Sequence, residues 1–209
     1  HLFRTTGIDT GPPDRWYAMA AIQNAGIAID WALGLLAVPL SEAGQAVAGS
    51  PVGSNGVSFL PYLTGERTPH LNGGLRGSWI GLRPGTDRAD LVRSVFEGVA
   101  FALRDGLDAL VIRGGGPEYL LLAGGGSTEV WWQQMLADVL DRPLVPHNAS
   151  DASVRGAGLL AWSSIGHRID PGRAVERQPP ILPSAAAGDR YRRARMRFRR
   201  ALPAAGIDL

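Results

Sequence analysis

The chain has 209 residues, enough for one large domain or two small ones with a sizeable core, and its formal charge is only +2. It has no cysteine, which excludes disulfides, thiolate metal sites and a cysteine nucleophile and is compatible with a cytoplasmic protein. No run of about 18 apolar residues is present, so no membrane partner is expected, while 28 glycines and 15 prolines predict many loops.

Residues 1–14 show no helix or strand period and read as an irregular lead-in. Arg15 to Ile22 alternates loosely, as a half-buried strand does. From Asn24 or Gly26 the period becomes helical through Ile29, Ala32, Leu33 and Leu36 to about Pro39, and a weaker helix follows from Ser41 to Ala48. Val57 to Tyr62 predicts a short strand, Thr64 to Gly77 a long polar loop, and Ser78 to Leu82 another short apolar piece. Thr86 or Asp87 then caps a long helix to about Ile112, with Leu91, Val95, Val99 and Leu103 on one face, before Gly114 to Pro117 stops it.

The stretch Leu120 to Leu140 organises the rest. Three leucines predict a buried strand, Gly124, Gly125 and Gly126 a turn, and two apolar stripes, Trp131/Met135/Val139 and Trp132/Leu136/Leu140, a helix capped by Ser127 or Thr128. A bare glycine turn feeding a helix N-terminus suits an anionic ligand such as a nucleotide, because free N–H groups and the positive helix end point at it. A dinucleotide fingerprint is excluded by Glu129, which stands where its third glycine belongs, and a P-loop by the absence of any lysine: all 21 basic residues are arginine.

A strand at Leu144 to Pro146, a helix from about Ala152 to Gly166, a proline-rich connector to Pro183 and a final helix from Asp189 to Leu202 complete the chain. Strands alternating with helices predict an α/β domain with a largely parallel sheet. Glu66, Arg67 and Thr68 sit in the polar loop, where substrate contacts are commonly carried; the plain alternative is a solvated loop with a Glu66–Arg67 charge pair. His70 lacks a neighbouring carboxylate to orient it as a base. Gly156, Ala157 and Gly158 on a helix predict close packing. Seven arginines from Arg190 to Arg200 read as an amphipathic terminal helix with a ragged apolar face of Tyr191, Ala194, Met196, Phe198 and Leu202, and nucleic-acid binding is not expected.

Four blocks in order, FLPYLTGERTPH, GSWIGLRPGTDRADLVRSVFEG, LLLAGGGSTEVWWQQMLADVLDRPL and ASVRGAGLLA, resemble the C-terminal half of the FGGY carbohydrate kinases, most of all their xylulokinase branch. The second block carries the family's signature pattern through Gly77, Trp79, Gly81, Leu82, Asp90, Leu91, Ser94, Val95, Phe96 and Glu97. The resemblance implies an actin-like (ribonuclease-H-like) ATPase fold with a mixed sheet flanked by helices, incomplete at its N-terminus. It divides the chain into the lead-in, a nucleotide-binding domain over 15–170, and a connector with a basic helix over 171–209.

The same resemblance implies phosphoryl transfer from ATP-Mg to a sugar hydroxyl. Gly124, Gly125 and Gly126 become the adenosine turn, Gly26 and Asp30 flank the nucleotide from the other side, and Gly156-Ala157 lines the same cleft. Glu129 falls where relatives often carry Asn or Ser against the adenine, and Glu66, Arg67 and Thr68 form a candidate cleft loop. The sugar site, the catalytic aspartate and most of the magnesium contacts belong to a first domain that no stretch of this chain spells, so no catalytic residue is assigned and the chain alone is expected to be inactive. An exposed cleft face and a lost sheet edge favour self-association as a homodimer.

Overall fold

A computed structural model describes residues 2–4, 16–111, 116–124, 128–147, 151–167 and 178–207. The centre of the molecule is a helix, α3 (Arg88–Leu110), 23 residues long. Asp87 starts it with a capping box: its carboxylate accepts from Asp90 N–H at 2.9 Å, and the Asp90 carboxylate faces back to Asp87 N–H. Val92, Val95, Phe96, Val99 and Phe101 are buried on several sides of it, so the single apolar stripe expected from sequence is too narrow a description.

Around α3 stand α1 (Gly26–Leu35), α2 (Leu40–Ala48), α4 (Val130–Leu140) and α6 (Ala185–Ala201). The strands are β1 (Leu2–Arg4), β2 (Trp16–Ala18), β3 (Ser58–Leu60), β4 (Ser78–Ile80), β5 (Leu120–Leu122) and β6 (Leu144–Pro146). Among the described residues they form three two-stranded sheets. β1–β2 and β3–β4 are antiparallel, and only β5–β6, joined through α4, is parallel. The expected largely parallel sheet is corrected accordingly: two of the three pairs run antiparallel, and β3–β4 is joined by a loop rather than a helix. β1 also lies inside the segment expected to be irregular, because three residues show no period and their partner is fourteen positions away in register Phe3–Tyr17.

β3 crosses directly over α3. Gly98 makes the approach possible, since a Cβ there would run into the Phe59 carbonyl. On the same helix Arg93 and Glu97 form a buried ion pair at 2.8 Å. Glu97 accepts from Gly53 N–H at 2.8 Å and from the Ser54 hydroxyl at 3.0 Å, and Asn55 donates to Asp90 at 2.8 Å. These bonds pin a run of four residues, Gly53 to Gly56, that all have positive φ, an arrangement that strains Ser54 and Asn55. Arg93 reaches Tyr191 Oη of α6 at 2.9 Å. Burial raises the Glu97 pKa against the pull of Gly53 and Arg93, and raises that of Tyr191 to about 12.

α5 (Ala152–Ser164) contributes no buried residue, and a Cβ at Gly156 or Gly158 would meet nothing within 4 Å. The close packing expected of Gly156, Ala157 and Gly158 is therefore absent among the described residues; the small residues leave that face open. On α6, Tyr191, Ala194 and Phe198 are buried with Leu202 just beyond, whereas Met196 is exposed, since it falls off the i, i+3, i+7 face.

Candidate functional site

Among the described helices only α3 begins with a side-chain cap, and two of the uncapped beginnings, those of α4 and α1, have glycine beside them. β5 runs out at Leu122, and Gly124 follows with φ 104, open space standing where a Cβ would be. Gly125, Gly126 and Ser127 lie outside the described residues. Glu129, extended at φ −81 and ψ 117, is the N-cap residue of α4, and its carbonyl accepts from Trp132 and Gln133 N–H at 3.0 and 2.9 Å. The expected Ser127 or Thr128 cap is corrected by one or two positions: helical geometry starts only at Val130, and no side chain closes it. The exposed Glu129 carboxylate stands at the positive end of the helix.

α4 is held by its apolar faces. Trp132, Met135, Leu136, Val139 and Leu140 are buried, and Phe96 meets Trp131 and Trp132 edge-on with centroids at 4.8 and 5.3 Å. Trp131 lies over Gly44 of α2, where a Cβ would stand 2.7 Å from the indole Nε1. Both predicted stripes thus find partners.

The second beginning is α1. Ala25 is its N-cap residue, with no side-chain bond, Gly26 has open space around it, and Asp30 is exposed one turn on. What holds this end is the polar loop. Glu66 Oε1 accepts from Gln23 N–H at 2.6 Å and Arg67 N–H at 2.7 Å, and Oε2 accepts from Asn24 N–H and Nδ2 at 3.4 Å each. Thr68 exchanges bonds with Ala21, accepting at Oγ1 at 3.1 Å and donating from its N–H at 3.0 Å. The Glu66 carboxylate is occupied by three main-chain N–H groups and the Asn24 side-chain amide rather than by the Arg67 guanidinium, and the Arg67 side chain is exposed. Glu66 and Thr68 are thereby brought to the entrance of the helix that carries Gly26 and Asp30.

Asn24 is the residue that sequence reasoning missed. Fully buried, it donates to the Gly65 carbonyl at 2.5 Å and accepts at Oδ1 from the Thr64 N–H and hydroxyl at 3.3 and 3.2 Å. Its only signal is a polar residue just ahead of an apolar helix, which reads equally well as a cap. His70 also has a role not visible in sequence: its Nε2 lies 3.3 Å from Tyr62 Oη, and the two rings meet edge-on. Burial lowers the His70 pKa, with Asp105 and Glu66 pulling the other way, and burial together with Asp105 raises that of Tyr62.

Among the described residues no cluster of three or more His, Asp or Glu side chains is set to hold a metal. The arrangement offers uncapped main-chain N–H groups beside open glycines, which suits the anionic, hydrogen-bonding parts of a nucleotide.

The model of the C-terminal domain of the FGGY family of carbohydrate kinases matches residues 1–165. Xylulose kinase from Klebsiella pneumoniae is 39% identical over 160 residues, covering 75% of this chain and 32% of that protein. Gluconate kinase from Lactobacillus acidophilus superposes with a TM-score of 0.78 at 25% identity, over 88% of this chain and 38% of that one. Plasmodium falciparum glycerol kinase, solved with ADP, gives 0.82 at 19% identity, over all of this chain and 42% of that one. The chain spans about a third of the length of the curated relatives it matches. Its fold is the actin-like ATPase fold of these kinases, represented by their C-terminal domain.

Proposed function

The chain belongs to the FGGY family of carbohydrate kinases, and from that membership we propose that it is the ATP-binding lobe of an enzyme passing the γ-phosphate of ATP to a sugar hydroxyl, with D-xylulose as the acceptor. The observation that carries the reading is the strand–glycine–helix passage from β5 to α4, which leaves main-chain N–H groups and an open Gly124 together at the carboxyl end of a parallel strand. In the proposal Gly124, Gly125 and Gly126 accept the adenosine, Gly26 and Asp30 flank it, and Glu129 takes the adenine amino group as a hydrogen-bond acceptor. Glu66 and Thr68 keep the neighbouring helix start in place, and Arg67 stands beside them in the candidate cleft loop.

Phosphoryl transfer needs in-line positioning, neutralisation of phosphate charge and a carboxylate to take the hydroxyl proton. ATP supplies the transferable phosphoryl group, with Mg2+ held mainly by its phosphates. This chain supplies a wall of the nucleotide pocket, and a second lobe supplies the sugar site and the base. On this reading the chain alone transfers no phosphate, and its compartment is the cytoplasm. The gluconate kinase likeness favours one alternative acceptor, a sugar acid, because the acceptor contacts fall outside the matched third.

The test is a calorimetric titration with MgADP of the chain and of its Gly125→Trp variant. Binding that disappears in the variant supports the site; no binding to a demonstrably folded chain sinks it. Pentulose phosphorylation by the purified chain would overturn the division of labour between two lobes.

A further inference from the structure

Seven arginines stand from Arg190 to Arg200, and the structure divides them by task. Arg195 turns inward to Asp105 and Asp108, Arg197 donates to the Gly53 carbonyl at 3.1 Å, and Arg192 pairs with Asp189 one turn back. Arg190, Arg193, Arg199 and Arg200 are exposed and form neither an ion pair nor a hydrogen bond among the described residues. The negative end of α6 accounts for Arg199 and Arg200 in its last turn, but gives nothing to Arg190 and Arg193 in mid-helix. Arg190 and Arg193, Arg193 and Arg197, and Arg197 and Arg200 are instead like-charged neighbours at three or four positions' spacing, each pair mildly destabilising. No acid is interleaved from Arg190 to the end of the helix.

Met196 is 54% exposed among these cations. A groove of about 440 Å3 runs along this side of α6, lined by Asp189, Arg192, Arg193, Arg195, Met196 and Arg199. From Asp189 to Arg199 it extends about 15 Å at the helical rise. Arg192 and Arg199 lie seven positions apart, as do Arg193 and Arg200, and Met196 falls between them on the same face. Charge before, an apolar contact in the middle and charge after is a surface that a second helix matches at heptad spacing.

We propose that this face docks an acidic helix of another protein, one with carboxylates seven positions apart and an aliphatic residue between them. Carboxylates fit because a planar guanidinium donates two parallel N–H bonds to one carboxylate. Single-stranded nucleic acid fits less well: Tyr191 and Phe198, the aromatic residues of this stretch, are buried, so no ring is left to stack on a base. An anionic membrane lacks its apolar half, since Tyr191, Ala194 and Phe198 face the core and Met196 alone is left to enter lipid. A second copy does not supply the occupant, because no described helix carries two exposed acids seven positions apart. The proposal is independent of the nucleotide and sugar readings.

The test titrates the chain into a fluorescein-labelled, alanine-rich peptide of about 18 residues that repeats Glu-x-x-Leu-x-x-x-Glu, at low ionic strength, and reads anisotropy. Saturable binding is expected, weakened about tenfold by the double variant Arg193→Gln, Arg199→Gln and again by about 0.5 M salt. Met196→Ser weakens it about threefold. A peptide of the same composition with its glutamates gathered at one end binds more weakly than the patterned one. Arg88→Gln with Arg155→Gln, an equal loss of charge at exposed positions of α3 and α5, leaves the affinity unchanged. The Arg193, Arg199 double variant melts no lower than the parent, because it relieves like-charge repulsion; a lower melting temperature would return these arginines to a structural role. No saturable binding to the folded chain, equal affinity for the two peptides, or unchanged affinity in that double variant would each overturn the proposal. Tighter binding of oligouridine, or of phosphatidylserine vesicles, than of the patterned peptide would overturn it in favour of nucleic acid or membrane.

Discussion

Glu66 is 4% exposed, and its two oxygens accept from four N–H groups, three of them on Gln23 and Asn24. A buried carboxylate in such a nest is held by charge-assisted bonds, and changing it to an amide turns a donor against donors. Glu66→Gln should therefore lose about 2–3 kcal/mol in urea unfolding, while Arg67→Gln, at an exposed position, stays within about 0.5 kcal/mol. If both variants unfold at the same urea concentration, the anchoring role fails. His70 gives a second expectation. Its folded pKa lies below the ordinary 6.5 because of burial, so between those two values the unfolded chain binds more protons. Stability is full above about 6.5 and declines as pH falls through that window, and His70→Gln should flatten this part of a melting-temperature profile. Polar crowding in the loop made Glu66 and Thr68 legible as candidates. Their partners lie more than forty positions earlier, at no sequence spacing that periodicity reports, so Asn24 stayed hidden.

Elements were legible in proportion to their length. α3, with a capping acid, 23 residues and a glycine stop, showed itself from sequence to within two residues at its C-terminal end. Strands of three residues carry no period, so β1 was read as irregular and the antiparallel pairs were not foreseen. Packing against α3 is where a single atom decides. Gly98→Ala would gain helix propensity of about 1 kcal/mol but drive a methyl into the Phe59 carbonyl, and overpacking costs about 1–3 kcal/mol. A net loss is expected in thermal unfolding; a variant melting above the parent would show that β3 can move off the helix. The open turn at Gly124 was legible because glycine between a leucine strand and a helix has few other uses, whereas the cap shift to Glu129 depended on where helical geometry first becomes possible.

For the whole molecule, the arginine tail was read as a solvated amphipathic helix, which describes only part of it. Arg195 binds both Asp105 and Asp108 on α3, and Arg197 donates to the Gly53 carbonyl at 3.1 Å. Those partners lie about ninety residues or more earlier, beyond any local pattern. Burial would raise the Asp108 pKa, but Arg104 and Arg195 together hold it below the ordinary 3.8. Arg195→Gln leaves the buried Asp105 without its cation, and a loss of about 2–3 kcal/mol is expected, under the range for a fully buried pair because Arg195 is partly solvated. For the Asp108 share, stability is present above 3.8 and fades as pH falls through the lower folded value, so the gap between parent and variant should narrow in acid. A gap that stays constant down to about pH 2.5 would remove Asp108 from the account.

The bond from Arg93 to Tyr191 spans 98 residues. Arg93, Glu97 and Asp105 therefore leave the ribosome long before the helix that shelters them, and remain wet until α6 docks. At an elongation rate of about 5–20 residues per second, that wait lasts on the order of ten seconds. A nascent chain cut short before α6 would keep three charges facing water where a core belongs, and would be open to proteases throughout. The docking of α6 thus sets when these charges leave water, long after they are made.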